Sequence, residues 1–83
     1  MYFIYAIFNK KHNKIYIGQT ENLEKRISLH NGEKFKNSYT SRFDSSWVLI
    51  YSEKVLNRKI ALLREKELKS YKGRQFIKQF IPQ

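Results

Sequence analysis

Tyr2-Phe3-Ile4-Tyr5-Ala6-Ile7-Phe8 and Lys14-Ile15-Tyr16-Ile17-Gly18 decide how this chain folds. The first run is apolar on both faces and rich in aromatic and β-branched residues, as a central strand is. The second alternates, with Ile15 and Ile17 on one face and Lys14, Tyr16 and Gly18 on the other. The polar break Asn9-Lys10-Lys11-His12-Asn13 between them is short enough for an antiparallel hairpin. A turn centred between Lys10 and Lys11 sets Tyr5 opposite Tyr16 and Ile4 opposite Ile17. Both tyrosines then share one face, and Ile4, Ala6, Ile15 and Ile17 share the other. A one-residue slip would split both sets. Gly18 reads as the end of the second strand, or as room for a ligand to approach.

Downstream, Thr20 or Asn22 is placed to cap a helix, with Glu21 and Glu24 suited to its positive end. Leu23, Arg26, Ile27 and His30 follow the i, i+3, i+4, i+7 spacing and form one stripe. A cation and an imidazole on a core-facing stripe, beside two strand tyrosines, break the local rule. Such breaks tend to mark sites, and these residue types make an anion site.

Asn31-Gly32 ends that helix. Residues 33–46 are polar, with Phe35, Tyr39 and Phe43 the exceptions. Lys34, Lys36 and Arg42 in this stretch are candidate phosphate contacts or simply solvated charges. Lys14, Lys69 and Lys72 join the phosphate-contact candidates. Trp47 to Tyr51 reads as a third strand. Asn57 caps a longer helix running to about Lys72 and stopped by Gly73. Helical projection puts Ile60, Ala61, Leu68 and Tyr71 on one arc. Glu65 lies at one edge of it and Glu67 near the other, and periodicity does not choose between them. Either carboxylate also suits an ordinary i, i+4 pair such as Glu65–Lys69. Phe76, Ile77 and Phe80 suggest a short closing helix.

An 83-residue chain is expected to be one domain, residues 1–83, with a modest core. It has no cysteine, so disulfides and thiolate metal sites are excluded. Six tyrosines, six phenylalanines and one tryptophan supply core material. Seventeen Lys and Arg against seven Asp and Glu give a formal charge of +10, the balance of a protein that meets nucleic acid. No apolar run approaches a bilayer span, and no basic residue precedes the opening strand as a signal peptide requires. The expected compartment is the cytoplasm. A basic membrane-surface protein would need an amphipathic helix with its apolar face open to lipid, and none is evident.

Taken together, these residues resemble the GIY-YIG nuclease family. Phe3-Ile4-Tyr5 stands where its first signature stands, ahead of an intact Tyr16-Ile17-Gly18. Gln19-Thr20, Asn22-Leu23, Arg26 and His30 then fall where the pattern places them. Ala61 to Lys69 resembles the family's later helix with its metal-binding glutamate, and that register selects Glu65. The likeness covers nearly the whole chain and is greatest to small stand-alone members. Related modules occur in the incision enzyme of DNA excision repair and in homing endonucleases. The family's first glycine is Phe3 here, and the asparagine that homing enzymes carry after the glutamate has no counterpart after Glu65.

The resemblance implies an α/β fold of the α+β kind: a three-stranded antiparallel sheet flanked by helices, in the order β-β-α-(α)-β-α-α. It implies a Mg²⁺-dependent endonuclease hydrolysing phosphodiester bonds in DNA. Tyr16 would accept the proton, Tyr5 would help orient the water, and Arg26 and His30 would meet the phosphate. Glu65 would hold one Mg²⁺. Seven scattered acids do not make a two-metal cluster, whereas one carboxylate suffices for a Mg²⁺ that keeps most of its waters. Without a second recognition domain, selection by nucleic-acid structure is expected over site-specific cutting, with a protein partner a possible source of specificity. The competing reading is a non-catalytic nucleic-acid-binding module of the same fold.

Overall fold

The computed structural model describes residues 1–31 and 47–82, the side chains of 29–31 excepted. Strands β1 (Tyr2–Asn9) and β2 (Lys14–Thr20) lead into helix α1 (Leu23–Asn31). Strand β3 (Val48–Val55), helix α2 (Arg58–Lys69) and helix α3 (Tyr71–Lys78) follow. The strands form one antiparallel sheet in the order β2-β1-β3, so the apolar β1 is central as expected.

The hairpin register differs from the expected one by two residues. Tyr5 pairs with Gly18, Ile7 with Tyr16 and Ala6 with Ile17. The cause is the turn. Asn9 is the last β1 residue and pairs with Lys14, leaving residues 10–13 as a four-residue loop. The Asn9 side-chain oxygen accepts a hydrogen bond from the His12 N–H at 3.1 Å, and Asn13 adopts φ 53°. Asparagine tolerates both roles: it closes turns with its side chain and enters the left-handed region at little cost. A shift of two preserves side-chain parity. Tyr5 and Tyr16 therefore still share a face, now as diagonal neighbours.

Each face of the sheet carries its own apolar cluster. Ile4, Ala6 and Ile17 pack with Ala61 and Leu68 of α2 and Ile77 of α3. On the other face, Tyr5 and Ile7 pack with Trp47, against which Tyr16, Leu23 and Ile27 lie. The α1 stripe thus seats its apolar members on the tyrosine face, and Arg26 is carried in with them, half-buried.

Three sequence boundaries move. β2 continues past Gly18 to Thr20. β3 runs to Val55, as an edge strand exposed at Val48, Leu49, Ser52 and Lys54. The long final helix breaks at Ser70, whose hydroxyl accepts from the Gly73 N–H at 3.2 Å and so caps α3. Gly73 is accordingly inside α3 and not a helix stop. A Cβ there would strike the Glu67 carbonyl oxygen and the Leu68 backbone, so glycine is what lets α3 fold back on α2. Ile60 and Tyr71, expected on the buried arc, are 42% and 78% exposed; Tyr71 leaves that face because the chain turns at Ser70. Tyr51 of β3 packs edge-to-face with Phe76 of α3 and tilted against Phe80 just beyond it, at centroid distances of 5.5 and 5.0 Å, which fastens this end of the chain to the sheet.

Candidate active site

Tyr5 lies at the centre of the tyrosine face and is 1% exposed. Its ring reaches sideways over Gly18 of the edge strand: a Cβ on Gly18 would sit 2.8 Å from the Tyr5 hydroxyl and 3.0 Å from Tyr16 Cε2. The absent side chain is therefore the space that both tyrosine rings occupy. Gly18 holds no positive φ, so steric room and not backbone freedom is its role. The rings of Tyr5 and Tyr16 lie 6.3 Å apart, tilted by 45°. Tyr16 is half-buried, so it is the tyrosine more open to a ligand.

The surroundings of Tyr5 identify its neighbours. Burial pushes its hydroxyl well above the ordinary tyrosine range, and the charges of Tyr16 and Glu65 push the same way. Arg26 acts in the opposite direction. One buried hydroxyl on β1 thus senses a residue on β2, one on α1 and one on α2. Asn22, the α1 cap, accepts from the Lys25 N–H at 3.0 Å and fixes where that helix starts. Thr20 in turn receives the Asn22 N–H at 3.2 Å, so β2 and α1 are joined rigidly between Gly18 and Arg26.

The two glutamates left open by helical periodicity occupy different surroundings. The Glu65 side chain is 21% exposed and accepts from Lys69 Nζ at 2.7 Å. That of Glu67 is 67% exposed, with Arg64 at 3.9 Å. Arg64 is held elsewhere: its Nε donates to both oxygens of Glu53, at 3.1 and 2.9 Å, and Tyr51 donates to Glu53 at 2.6 Å. The charge of Glu65 is felt at the Tyr5 hydroxyl, whereas Glu67 lines the groove between α2 and α3.

Among the expected phosphate contacts, Lys14 is exposed and shares the β2 face of Tyr16. Lys69 is tied to Glu65. Lys72 lines the α2–α3 groove beside Leu63, Arg64 and Phe76, apart from the tyrosines. His30 belongs to α1, one turn beyond Arg26, but its side chain is outside the described residues, as are Lys34, Lys36 and Arg42. Sequence reasoning missed Arg58. It is the first residue of α2 and, with Arg26, lines a cleft at the end of the sheet. Its position next to the Asn57 cap was the available signal.

The partly buried Glu65 carboxylate is a hard-oxygen donor, of the kind suited to one divalent cation whose other ligands are water and phosphate. The ion pair with Lys69 is partly exposed and weak enough to yield to such a cation. Among the described residues, no group of three or more His, Asp or Glu side chains gathers into a metal cage.

The profile of the GIY-YIG catalytic domain matches residues 1–78. The chain belongs to the GIY-YIG family. Membership implies nuclease chemistry on DNA. The chain is also similar to UPF0213 protein SH2523 of Staphylococcus haemolyticus (strain JCSC1435), 38% identical over 69 residues, covering 82% of this chain and 80% of that protein. No solved structure matches it significantly. Among the described residues, no helix is long and apolar enough to cross a membrane.

Proposed function

We propose that this GIY-YIG chain is a single-domain endonuclease, residues 1–83, that hydrolyses phosphodiester bonds in DNA and selects by structure more than by sequence. The observation that carries the reading is the packing of the Tyr5 and Tyr16 rings, 6.3 Å apart, over Gly18, with the charges of Arg26 and Glu65 felt at the Tyr5 hydroxyl. Hydrolysis needs a proton acceptor for the attacking water, positive charge at the phosphoryl oxygens and help for the leaving oxygen. Tyr16, the more open tyrosine, takes the water's proton on its oxygen while its own phenolic proton passes to solvent. Tyr5 holds its own proton too firmly to act as a base, so it donates a hydrogen bond that orients the water. Arg26 offers its planar fork to a non-bridging oxygen. His30, one helical turn on, hydrogen-bonds the same phosphate. Glu65 would hold one Mg²⁺, which when bound would supply charge neutralisation at the phosphate and at the leaving oxygen, the latter taking up a proton from solvent.

Lys14, Lys34, Lys36, Arg42, Lys69 and Lys72 add phosphate contacts along the substrate, in keeping with the +10 charge. In this reading the protein acts in the cytoplasm, on branched or damaged DNA of the kind met in DNA repair, with a protein partner adding specificity. The Glu65–Lys69 pair favours a second reading, a binding module that no longer cuts. Purified protein incubated with labelled duplex, nicked, flapped, branched and single-stranded DNA and with RNA, with and without Mg²⁺, separates the two. The nuclease reading expects Mg²⁺-dependent products from at least one DNA structure. Binding with every strand left intact would establish the second.

A further inference from the structure

Where β1 begins and β2 leaves the sheet, Tyr2, Gln19, Thr20, Glu21, Arg26 and Arg58 line an open cleft of about 340 Å³. These residues come from both ends of the chain's first hairpin, from α1 and from the start of α2. Two guanidiniums facing one small cleft repel each other unless an anion lies between them. The carboxylate of Glu21 offsets only one of those charges, and it is already engaged. The Tyr2 hydroxyl donates to it, and this bond is the main reason that hydroxyl stays protonated above its ordinary range. Arg58 lines the same cleft as Tyr2, and its charge is felt at the Tyr2 hydroxyl. The Thr20 hydroxyl is engaged with Asn22. Of the six residues lining the cleft, two are cationic and one is anionic, and the Gln19 amide is a further donor.

Arg26 is common to both places. It lines this cleft, and its charge reaches the Tyr5 hydroxyl. An anion in the cleft would therefore sit one guanidinium away from the reaction centre. The lining is mostly polar and carries two guanidiniums, which suits an anion better than a base. A nucleic-acid strand does present phosphates at regular intervals on either side of the one being cut. We propose that the cleft binds the phosphate next to the scissile one, and that Arg58 is the residue that grips it.

The claim rests on the nuclease reading for the word scissile, but not for phosphate binding. Arg58 touches an unreactive phosphate, which stabilises ground and transition states alike. Its loss raises the concentration needed for saturation and leaves the chemical step unchanged.

The test is fluorescence anisotropy with a labelled duplex in EDTA, where no cleavage occurs, over a series of salt concentrations. Arg58→Ala is compared with Arg58→Lys and with Lys78→Ala, which removes the same charge from the exposed end of α3. For Arg58→Ala the slope of log K against log salt becomes shallower by about 0.9, the value for one lost duplex phosphate contact. Arg58→Lys keeps most of the slope, and Lys78→Ala keeps all of it. Melting temperatures verify that each variant is folded. An unchanged slope for Arg58→Ala, or an equal change for Lys78→Ala, overturns the proposal. Where the parent protein cleaves, Arg58→Ala at saturating DNA retains a rate within about twofold of it. A rate loss of about a hundredfold or more would move Arg58 into the chemical step and also overturn the proposal. A parent that never cleaves refutes the nuclease reading alone, because the anisotropy result still decides the phosphate claim.

Discussion

Replacing Gly18 by alanine tests whether this glycine makes the site by leaving room. The added methyl would lie 2.8 Å from the Tyr5 hydroxyl and 3.0 Å from both Tyr5 Cζ and Tyr16 Cε2. Comfortable contacts between carbon atoms lie at about 3.5–4.0 Å, so one or both rings must shift by roughly half an ångström to an ångström. Tyr5 is 1% exposed and has no open side to retreat into. Forcing a methyl into a packed core costs about 1–3 kcal/mol. In a domain of this size each kcal/mol is worth about 4–8 °C in Tm. A misplacement of an ångström at a reacting centre costs about a hundredfold in rate. Gly18→Ala is therefore expected to melt several degrees lower and to lose most of its single-turnover cleavage. Adding Tyr5→Phe removes the closest contacting atom and should restore part of the Tm. Gly18 has no positive φ, so alanine meets no backbone strain there. On backbone entropy alone the substitution would stabilise by about 0.4–1 kcal/mol. A variant as stable as the parent and cleaving as fast would refute the packing argument.

Glu65→Ala should abolish Mg²⁺-dependent cleavage while leaving Tm and DNA affinity close to those of the parent, because a partly exposed ion pair contributes only about 0.2–1 kcal/mol; melting, anisotropy and cleavage on one preparation check this, and retained cleavage would reduce Glu65 to a partner for Lys69. Glu53 gives a pH dependence: burial disfavours its charge, but the bonds from Tyr51 and Arg64 outweigh that and hold its carboxyl below the ordinary range. Its contribution is thus present above the ordinary carboxylate value of about 4.3 and fades as pH falls through the lower folded value. Glu53→Gln should lower Tm modestly near neutrality and converge with the parent in acid; a gap that widens in acid would contradict the assignment.

Much of the architecture was legible because period-two patterning fixes which face a side chain takes, whatever the register. Tyr5 with Tyr16, and Ile4 with Ala6 and Ile17, were separable into faces on that ground, and both sets hold. The register itself was not legible, because a two-residue and a four-residue loop keep the same parity. Only the turn chemistry of Asn9 and Asn13 chooses between them. The end of α2 was misread because glycine usually marks a helix stop. Here Ser70 makes the break, and Gly73 serves a close helix–helix approach that only tertiary structure reveals. The choice between Glu65 and Glu67 depends on which flank of α2 faces the sheet edge, and their exposures of 21% and 67% show a difference that helical projection could not. Arg58 went unnoticed because its partner in the cleft, Arg26, is distant in sequence and comes near only through the packing of α1 and α2 around the end of the sheet.

The most direct measurement of the central claim is the single-turnover rate of DNA cleavage in Mg²⁺ for the parent and for Tyr16→Phe. The substitution keeps the ring that packs against Tyr5 and deletes only the oxygen proposed to accept the proton. Loss of a general base lowers the rate by about 10²–10⁴. Loss of one ordinary hydrogen bond costs only about 0.5–1.5 kcal/mol of stability. The account predicts a parent that cuts and a folded, DNA-binding Tyr16→Phe protein slower by at least a hundredfold. A Tyr16→Phe protein that cuts at the parent rate, or a parent that leaves every DNA substrate intact, would contradict it.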